Sequence, residues 1–593
     1  MRMDRVVFDI ETDGLLDTVT TAHCAVLRSI DTGEELSFVG VDEVRRALYY
    51  LRDAQLLVGH NIIGFDIPVL QKLFPGFNPG GELIDTLVLS RMIYPELKQE
   101  DFSRSARDAS FPKTMIGRHS LEAWGHRLQD FKGEFGKTAD WKEFSPEMLV
   151  YCRQDVALTE HLFGHLFARA MPGESVNIEM RAAKILFEQE KCGIRFDVEG
   201  AKSLLLKLYH RRFALEAELA AMFPPWEISL GEFVPKRSNA TKGYVKGVPI
   251  KRTATVTFNP GSRDHIGNRL VQLFGWKPDA FGGNGKPTVD EATLEDLPYP
   301  CIPTLIEYLT VDKRIGQLGE GSQAWLKVER RGRIHGTVHP TGAVTSRCSH
   351  SHPNMSQVPK VGNPYGEECR ALFVADDEHT VLVGADASGL ELRMLAHYLA
   401  RYDDGAYARE VIEGDVHSLT MQALGIESRD TAKTFIYAFL YGAGNAKLAA
   451  ILSCTERRAG ELKAQFIAKI AGLSRLKLAV SGAVARGYLL LPDGRKARVR
   501  SQHSALNTLL QGSGAVVMKW AFVAYYEEIA RRQLPARPAL FSHDEMQTNA
   551  AESCANEVGM LAVDCIRGSG EHYALRCPLD AKYRIGGTWA QTH

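Results

Sequence analysis

The sequence is poor in the features that tie a chain to a membrane, a zinc ribbon or an oxidising compartment. Its ten cysteines include no C-x-x-C pair. That argues against a disulfide framework or a ribbon and leaves reduced thiols in a cytoplasm as the expectation. The opening residues MRMDRVVFDIE hold no signal-peptide core. The longest apolar run near the C-terminus, AVVMKWAFVAYY, is broken by Lys519 and too short to cross a bilayer, so no membrane partner is expected. Internal repeats and a low-complexity tail are absent. An excess of one charge sign is also missing, because the net charge is −1. Any nucleic-acid surface must then be a local basic patch balanced by acids elsewhere, and those acids are themselves candidates for metal binding. What remains, 45% hydrophobic and 24% charged residues over 593 positions, is a globular chain of several domains.

Residues 1 to about 170 read as an α/β unit, with short strands in RVVFDIET, HCAVLRSI and LLVGHN followed by helical patterns. From about 175 to 220 the pattern is strongly helical. A polar, turn-rich segment from Glu227 to Thr257 interrupts it, with six basic residues (Lys236, Arg237, Lys242, Lys246, Lys251 and Arg252) against two acids. Strands and helices mix from about 330 onward.

Four carboxylates near the N-terminus form the first constellation. Asp9 and Glu11 lie two apart on one strand and share a face. Asp66 sits in HNIIGFDIP, and Tyr151 and Asp155 in YCRQDV are one helical turn apart. Gathered around one point, Asp9, Glu11, Asp66 and Asp155 would bind two hard divalent cations through oxygen, and Tyr151 would orient an attacking water. The pattern D-x-E, N-x(4)-D, Y-x(3)-D resembles the three motifs of the tyrosine-containing DEDD 3′→5′ exonucleases. That resemblance implies an active proofreading nuclease on an RNase H-like fold.

The second constellation begins in SRDTAKTFIYAFLYGAG. Arg429, Lys433, Tyr437 and Tyr441 recur every four residues and form one ladder if the stretch is helical. Ser428 is a suitable N-cap, and Gly442 and Gly444 supply the stop. Cations suit the phosphates of a nucleoside triphosphate and the rings suit its base. Asp386 ends a buried strand in TVLVGADAS, while Asp544 and Glu545 lie between two β-rich runs in PALFSHDEMQTN. Aspartates from two strands can share a metal pair for in-line attack on a triphosphate.

Here the chain resembles family A DNA polymerases. DASGLELR resembles motif A, R-x(3)-K-x(3)-Y-x(3)-Y-G motif B and HDE motif C. TSRCSHSHPNMSQVP resembles the family's T-G-R…P-N-x-Q block, with Ser346 in place of glycine, and LNTLLQG resembles its N-x(3)-Q-G block. Phrases such as DTLVLSRMIYP, KTFIYAFLYGAG and GGTWAQTH are similar to the replicative polymerases of T-seven-like short-tailed phages. The likeness covers nearly the whole chain apart from Glu227–Thr257.

The resemblance implies an α/β multidomain chain. It carries a proofreading exonuclease over 1–170 and a right-hand polymerase over 171–593, with an antiparallel palm sheet and helical fingers and thumb. The thumb would span about 195–325, with a shortened basic insertion at about 227–257. The palm would span about 326–410 and 500–593, and the fingers about 411–499. It implies two magnesium ions per site, manganese being the alternative. Asp386, Asp544 and the backbone carbonyl of Ala387 would be ligands, with Glu545 an accessory acid. Arg429, Lys433 and His417 would face the triphosphate, and Tyr437 and Tyr441 the base and template. Glu391 would gate against a ribose 2′-hydroxyl. Arg347, Asn507, Gln511 and His543 would contact the primer–template minor groove and primer end. Primer–template DNA and dNTPs follow as partners, with a helicase–primase and a single-strand-binding protein beside them. The insertion leaves open thioredoxin, another clamp, DNA or no partner. With the first motif at residues 9–11, no 5′-nuclease domain is expected ahead of it. A replicative role in the cytoplasm, that of the host if the chain is phage-encoded, is therefore favoured by analogy.

A stand-alone nuclease is disfavoured by Asp386, Asp544 and Lys433, and an RNA polymerase by Glu391 and the exonuclease motifs. FKGEFGKT is set aside as a phosphate loop because Phe131 stands where the first glycine belongs. Lys207, Arg211 and Arg212 are open between a solvated face and DNA-backbone contact.

Overall fold

The computed structural model describes residues 3–593 except 109, 134, 139, 170, 279, 283 and 284, so Glu134 of FKGEFGKT lies outside the described residues. The chain divides into two compact units. One comprises Met1–Arg195, His335–Val358 and Phe373–His593, and the other Phe196–Ile334 and Pro359–Leu372. Among the described residues no helix is long and apolar enough to cross a membrane.

The first unit contains two sheets. A five-stranded sheet has the spatial order Glu35–Val39, Ala22–Ser29, Arg5–Thr12, Leu56–Gly59, Glu82–Asp85. Its first three strands pair antiparallel and its last three parallel. Alternation on Arg5–Thr12 buries Val6, Phe8 and Ile10 on one face and turns Asp9 and Glu11 together to the other. Helix Pro146–Phe167 packs on this strand and its neighbour. It starts where Ser145 accepts the Met148 N–H and Pro146 fills the first turn.

The second sheet is antiparallel, in the order Ala536–Ser542, Glu545–Ala551, Thr380–Ala387, Ala581–Gly586. Helix Ala505–Arg531 packs near it and is buried on almost every side. Lys519, which interrupts the apolar run in the sequence, is itself buried. Its ammonium lies 2.7 and 2.9 Å from the Glu179 carboxylate, and Arg495 shares that acid. A buried charge is tolerated only with such partners.

In the second unit, helices Val198–Met222 and Ile302–Ile315 pack together. The turn-rich expectation for Glu227–Thr257 needs correction. Trp226–Phe233 and Ile250–Val256 form a two-stranded antiparallel ribbon with a bulge between Ser229 and Glu232. The β-branched run in IKRTATV favours extended backbone, a signal outweighed in the sequence by the glycines and charges around it. Lys207, Arg211 and Arg212 meet acids of the same unit. Arg211 makes a bidentate pair with Glu307 at 2.6 and 2.7 Å, and Arg212 bonds Glu320 at 2.9 Å. Lys207 reaches Glu368 at 3.5 Å. The solvated, ion-paired reading is the one these contacts support.

Candidate active sites

The first candidate site gathers around Asp386 and Asp544. Asp386 pairs with Glu545 across neighbouring strands, and the Ala387 N–H donates to the Asp544 carbonyl at 3.1 Å. The turn between strands brings Asp544 into line because His543 adopts φ 60°. Glu545 is buried and accepts from Trp589 Nε1 at 2.5 Å and Gln547 Nε2 at 2.8 Å, with His593 Nδ1 at 3.0 Å. It thereby fastens the C-terminal residues beside the aspartates, a role for GGTWAQTH that sequence spacing does not reveal.

After Asp386 the chain turns through Gly389 at φ 59° into helix Leu390–Asp403, with Glu391 in its first turn. Glu391 Oε1 accepts from Arg347 at 2.8 Å and from the Tyr441 hydroxyl at 3.1 Å. Arg347 follows Ser346, whose φ of 58° lies in the left-handed region. That region costs a side-chain-bearing residue ~1–2 kcal/mol, which accounts physically for glycine at this place in the resembling family.

The ladder helix is Arg429–Leu440. Ser428 caps it by accepting the Thr431 N–H at 3.2 Å. Gly442 at φ 79° ends it, where an added Cβ would lie 2.9 Å from the His503 carbonyl. Phe435, Ile436, Phe439 and Leu440 are buried on the other face, leaving Arg429, Lys433 and Tyr441 exposed. Arg429 bonds Asp415 at 2.9 and 3.2 Å. These bonds hold the Asp415 carboxyl below its ordinary range. The rings of His417 and Tyr437 are 6.4 Å apart. Burial lowers His417, and Arg429 and Lys433 add to the effect. Burial raises Tyr437, with Glu391 and Asp544 contributing. Tyr441 is pushed up to about 12 by burial and then by Glu391. Acids, cations and rings thus face one another. Asn507 and Gln511 lie one turn apart on helix Ala505–Arg531, and His543 stacks edgewise on His350 at 6.1 Å.

The second candidate site is the N-terminal carboxylate cluster. Asp66 begins helix Asp66–Leu73 and accepts the Ile10 N–H at 3.3 Å. Asp155 and Tyr151 descend from helix Pro146–Phe167. Burial pushes Asp9 well above its ordinary range, and Glu11, Asp66 and Asp155 add repulsion. Glu11 rises to about 9, Asp66 to about 7 and Asp155 to about 6, burial leading in each. Four crowded acids with raised values repel one another, and a divalent cation among them would relieve that repulsion. The donors fit a hard metal, and Asp155 Oδ1 is buried without a hydrogen-bond partner.

One cation that sequence reasoning missed lies here. Lys132 pairs with Asp155 and sits 4.6 Å over the Tyr151 ring. Burial works to lower Lys132, but Asp155 and Tyr151 outweigh it and hold it above its ordinary value. Burial, then Asp155, pushes Tyr151 up to about 12. The residue belongs to FKGEFGKT, set aside only as a phosphate loop. Phe135 and Trp141 pack on Tyr151 at 5.6 and 6.1 Å. Beside it opens a cleft of about 600 Å³ lined by His60, Asn61, Arg91, His119, Lys132 and Tyr151. Cys152, also unsingled in the sequence, lies 3.6 Å from Asp9 Oδ2.

Known proteins resemble this chain over nearly its whole length. The model of DNA polymerase family A matches residues 247–591. The chain is 34% identical over 712 aligned positions to the DNA-directed DNA polymerases of Enterobacteria phage T3 and Escherichia phage T7, covering 99% of this chain and 100% of each relative. Among solved structures it is similar to the polymerase domain of Pol1 from M. smegmatis in complex with primer-template DNA and dNTP. There the TM-score is 0.73 at 18% identity, over 99% of this chain and 95% of that one.

Proposed function

The chain belongs to DNA polymerase family A and is a DNA-directed DNA polymerase; on that premise we propose that it extends a primer 3′ end at Asp386 and Asp544 and corrects errors at the N-terminal carboxylate cluster. The observation carrying the first assignment is that Asp386 on its strand and Asp544 in the adjoining turn are tied by the Ala387–Asp544 backbone bond, while Asp544 acts electrostatically on Tyr437 and Tyr441 of the ladder that also presents Arg429 and Lys433. Arg429 and Lys433 meet the triphosphate, Arg429 turning from Asp415 to do so. His417 hydrogen-bonds a phosphate, and Tyr437 and Tyr441 pack near the base and template. Glu391, held by Arg347 and Tyr441, closes the space a 2′-hydroxyl would need. Arg347, Asn507, Gln511 and His543 read minor-groove acceptors that vary little with sequence. Asp386, Asp544 and the Ala387 carbonyl would hold the metal pair. Bound magnesium would supply charge for the leaving oxygen and a lowered pKa for the attacking one.

The exonuclease assignment rests on the four carboxylates, two from the mixed sheet and two from helices, and on the cleft beside Tyr151. Tyr151 orients the attacking water and Lys132 fixes Tyr151 and Asp155. We assign residues 1–170 to this activity and 171–593 to the polymerase. The thumb is about 195–325, the palm about 326–410 and 500–593, and the fingers about 411–499. The basic ribbon Trp226–Val256 is the surface we assign to a processivity partner or to DNA. Run length measured with and without thioredoxin separates these. Helicase–primase and single-strand-binding protein act beside it at a fork.

Asp544→Asn tests the reading. Primer extension should fall on the order of a thousandfold, while degradation of a single-stranded 3′ end continues. Normal extension by this variant overturns the polymerase assignment.

A further inference from the structure

We propose that the exonuclease metal centre of this chain is a mixed oxygen–sulfur site in which Cys152 joins Asp9 and Glu11, and that it takes a thiophilic divalent ion (zinc, cobalt or cadmium) in competition with magnesium. The proposal rests on the exonuclease reading of the cluster and adds a ligand to it. Ligand atoms of Asp9, Glu11 and Cys152 all lie within 4.8 Å of one another. A sulfur at ~2.3 Å and an oxygen at ~2.1 Å from one tetrahedral ion stand ~3.6 Å apart. Cys152 Sγ and Asp9 Oδ2 are 3.6 Å apart. A second observation points to a ligand. Asp155 is 4% exposed, and its Oδ1 has no hydrogen-bond partner while the same carboxylate holds Lys132. Asp155 acts electrostatically on both Asp9 and Glu11, so a cation held by Asp9, Glu11 and Cys152 would also offset its charge.

Softness decides the metal. Magnesium demands six oxygens and gains nothing from sulfur, whereas zinc, cobalt and cadmium do. Coordination replaces the Cys152 thiol proton with the metal, the proton passing to solvent. The Cys152 thiol also points its sulfur at the Asp9 carbonyl, 3.5 Å away, and Cys24 on the neighbouring strand interacts with it, the position of an outer-shell partner of a metal ligand.

The test uses the full chain, stripped with a chelator and titrated with cobalt. A sulfur-to-cobalt charge-transfer band should appear in wild type and in Cys24→Ser, and vanish in Cys152→Ser and Asp9→Asn. Melting curves matched to wild type check that the variants fold. Zinc should inhibit magnesium-dependent exonuclease about tenfold less potently in Cys152→Ser than in wild type. Wild type without the band, or a band surviving Cys152→Ser, overturns the sulfur ligand while leaving the exonuclease intact. Absence of any magnesium-dependent degradation overturns the exonuclease reading instead, whatever the cobalt spectrum shows.

Discussion

The two candidate carboxylate sites handle their crowded charge in opposite ways. The N-terminal cluster packs Asp9, Glu11, Asp66 and Asp155 close together in a largely buried place, with Lys132 in contact. Its cost is electrostatic. The polymerase site leaves Asp386 exposed and Asp544 half-exposed and faces them with a helix carrying its own cations. Its cost lies in backbone geometry, with Ser346 and His543 in the left-handed region. The difference fits the tasks proposed for them. A triphosphate brings four negative charges that need open, cationic surroundings, whereas a phosphodiester to be hydrolysed brings one.

The largest expected effect breaks the comparison from the exonuclease side. Asp9→Ala with Asp155→Ala should remove 3′→5′ degradation by a thousandfold or more, roughly 4 kcal/mol, with primer extension kept within about twofold. Loss of both activities together would show that the sites are not separate. On the polymerase side, Glu391→Ala should raise ribonucleotide incorporation about tenfold relative to dNTPs, about 1.4 kcal/mol of lost discrimination. Unchanged selectivity would remove the gate from Glu391 and leave it a clamp for Arg347.

Electrostatic cost at one site alone predicts a pH effect with a definite sign. Glu11, with its pKa raised from 4.5 to about 9, keeps a proton in the folded state that the unfolded chain has lost. In chelator, stability from this group is full below its unfolded value and is lost as pH rises towards about 9. Melting temperature in chelator should therefore fall over that window, and Glu11→Gln should flatten the fall. Magnesium at ~100 times its dissociation constant should add about 2.7 kcal/mol to wild type and less to the variant. A flat wild-type profile would count against crowding. The smallest effect sharpens the backbone side. Ser346→Gly relieves the left-handed strain but gives back unfolded-chain entropy, for a net gain of ~0.5–1 kcal/mol in denaturant unfolding. No gain would mean the turn holds Ser346 without strain.

Much of the layout of both candidate sites was legible in the sequence because the residues proposed for them obey local periods. Asp9 and Glu11 share a strand face at a spacing of two, and Arg429, Lys433, Tyr437 and Tyr441 share a helix face at a spacing of four. Ser428 and Gly442 bound that helix through short-range geometry. The ribbon Trp226–Val256 was not legible, because its extended form depends on pairing between Trp226 and Val256 across the intervening turns.

By itself, then, the sequence singled out most of the acids, cations and rings proposed for the two sites and showed which of them share an element. Periodicity is a local property that each short segment carries alone. Tertiary structure alone decided the company they keep. Lys132 meets Asp155, Cys152 meets Asp9, Glu179 meets Lys519, and Trp589 and His593 hold Glu545. Those partners lie from 23 to 340 positions apart, and packing around buried charge, which no local pattern encodes, is what brings them together.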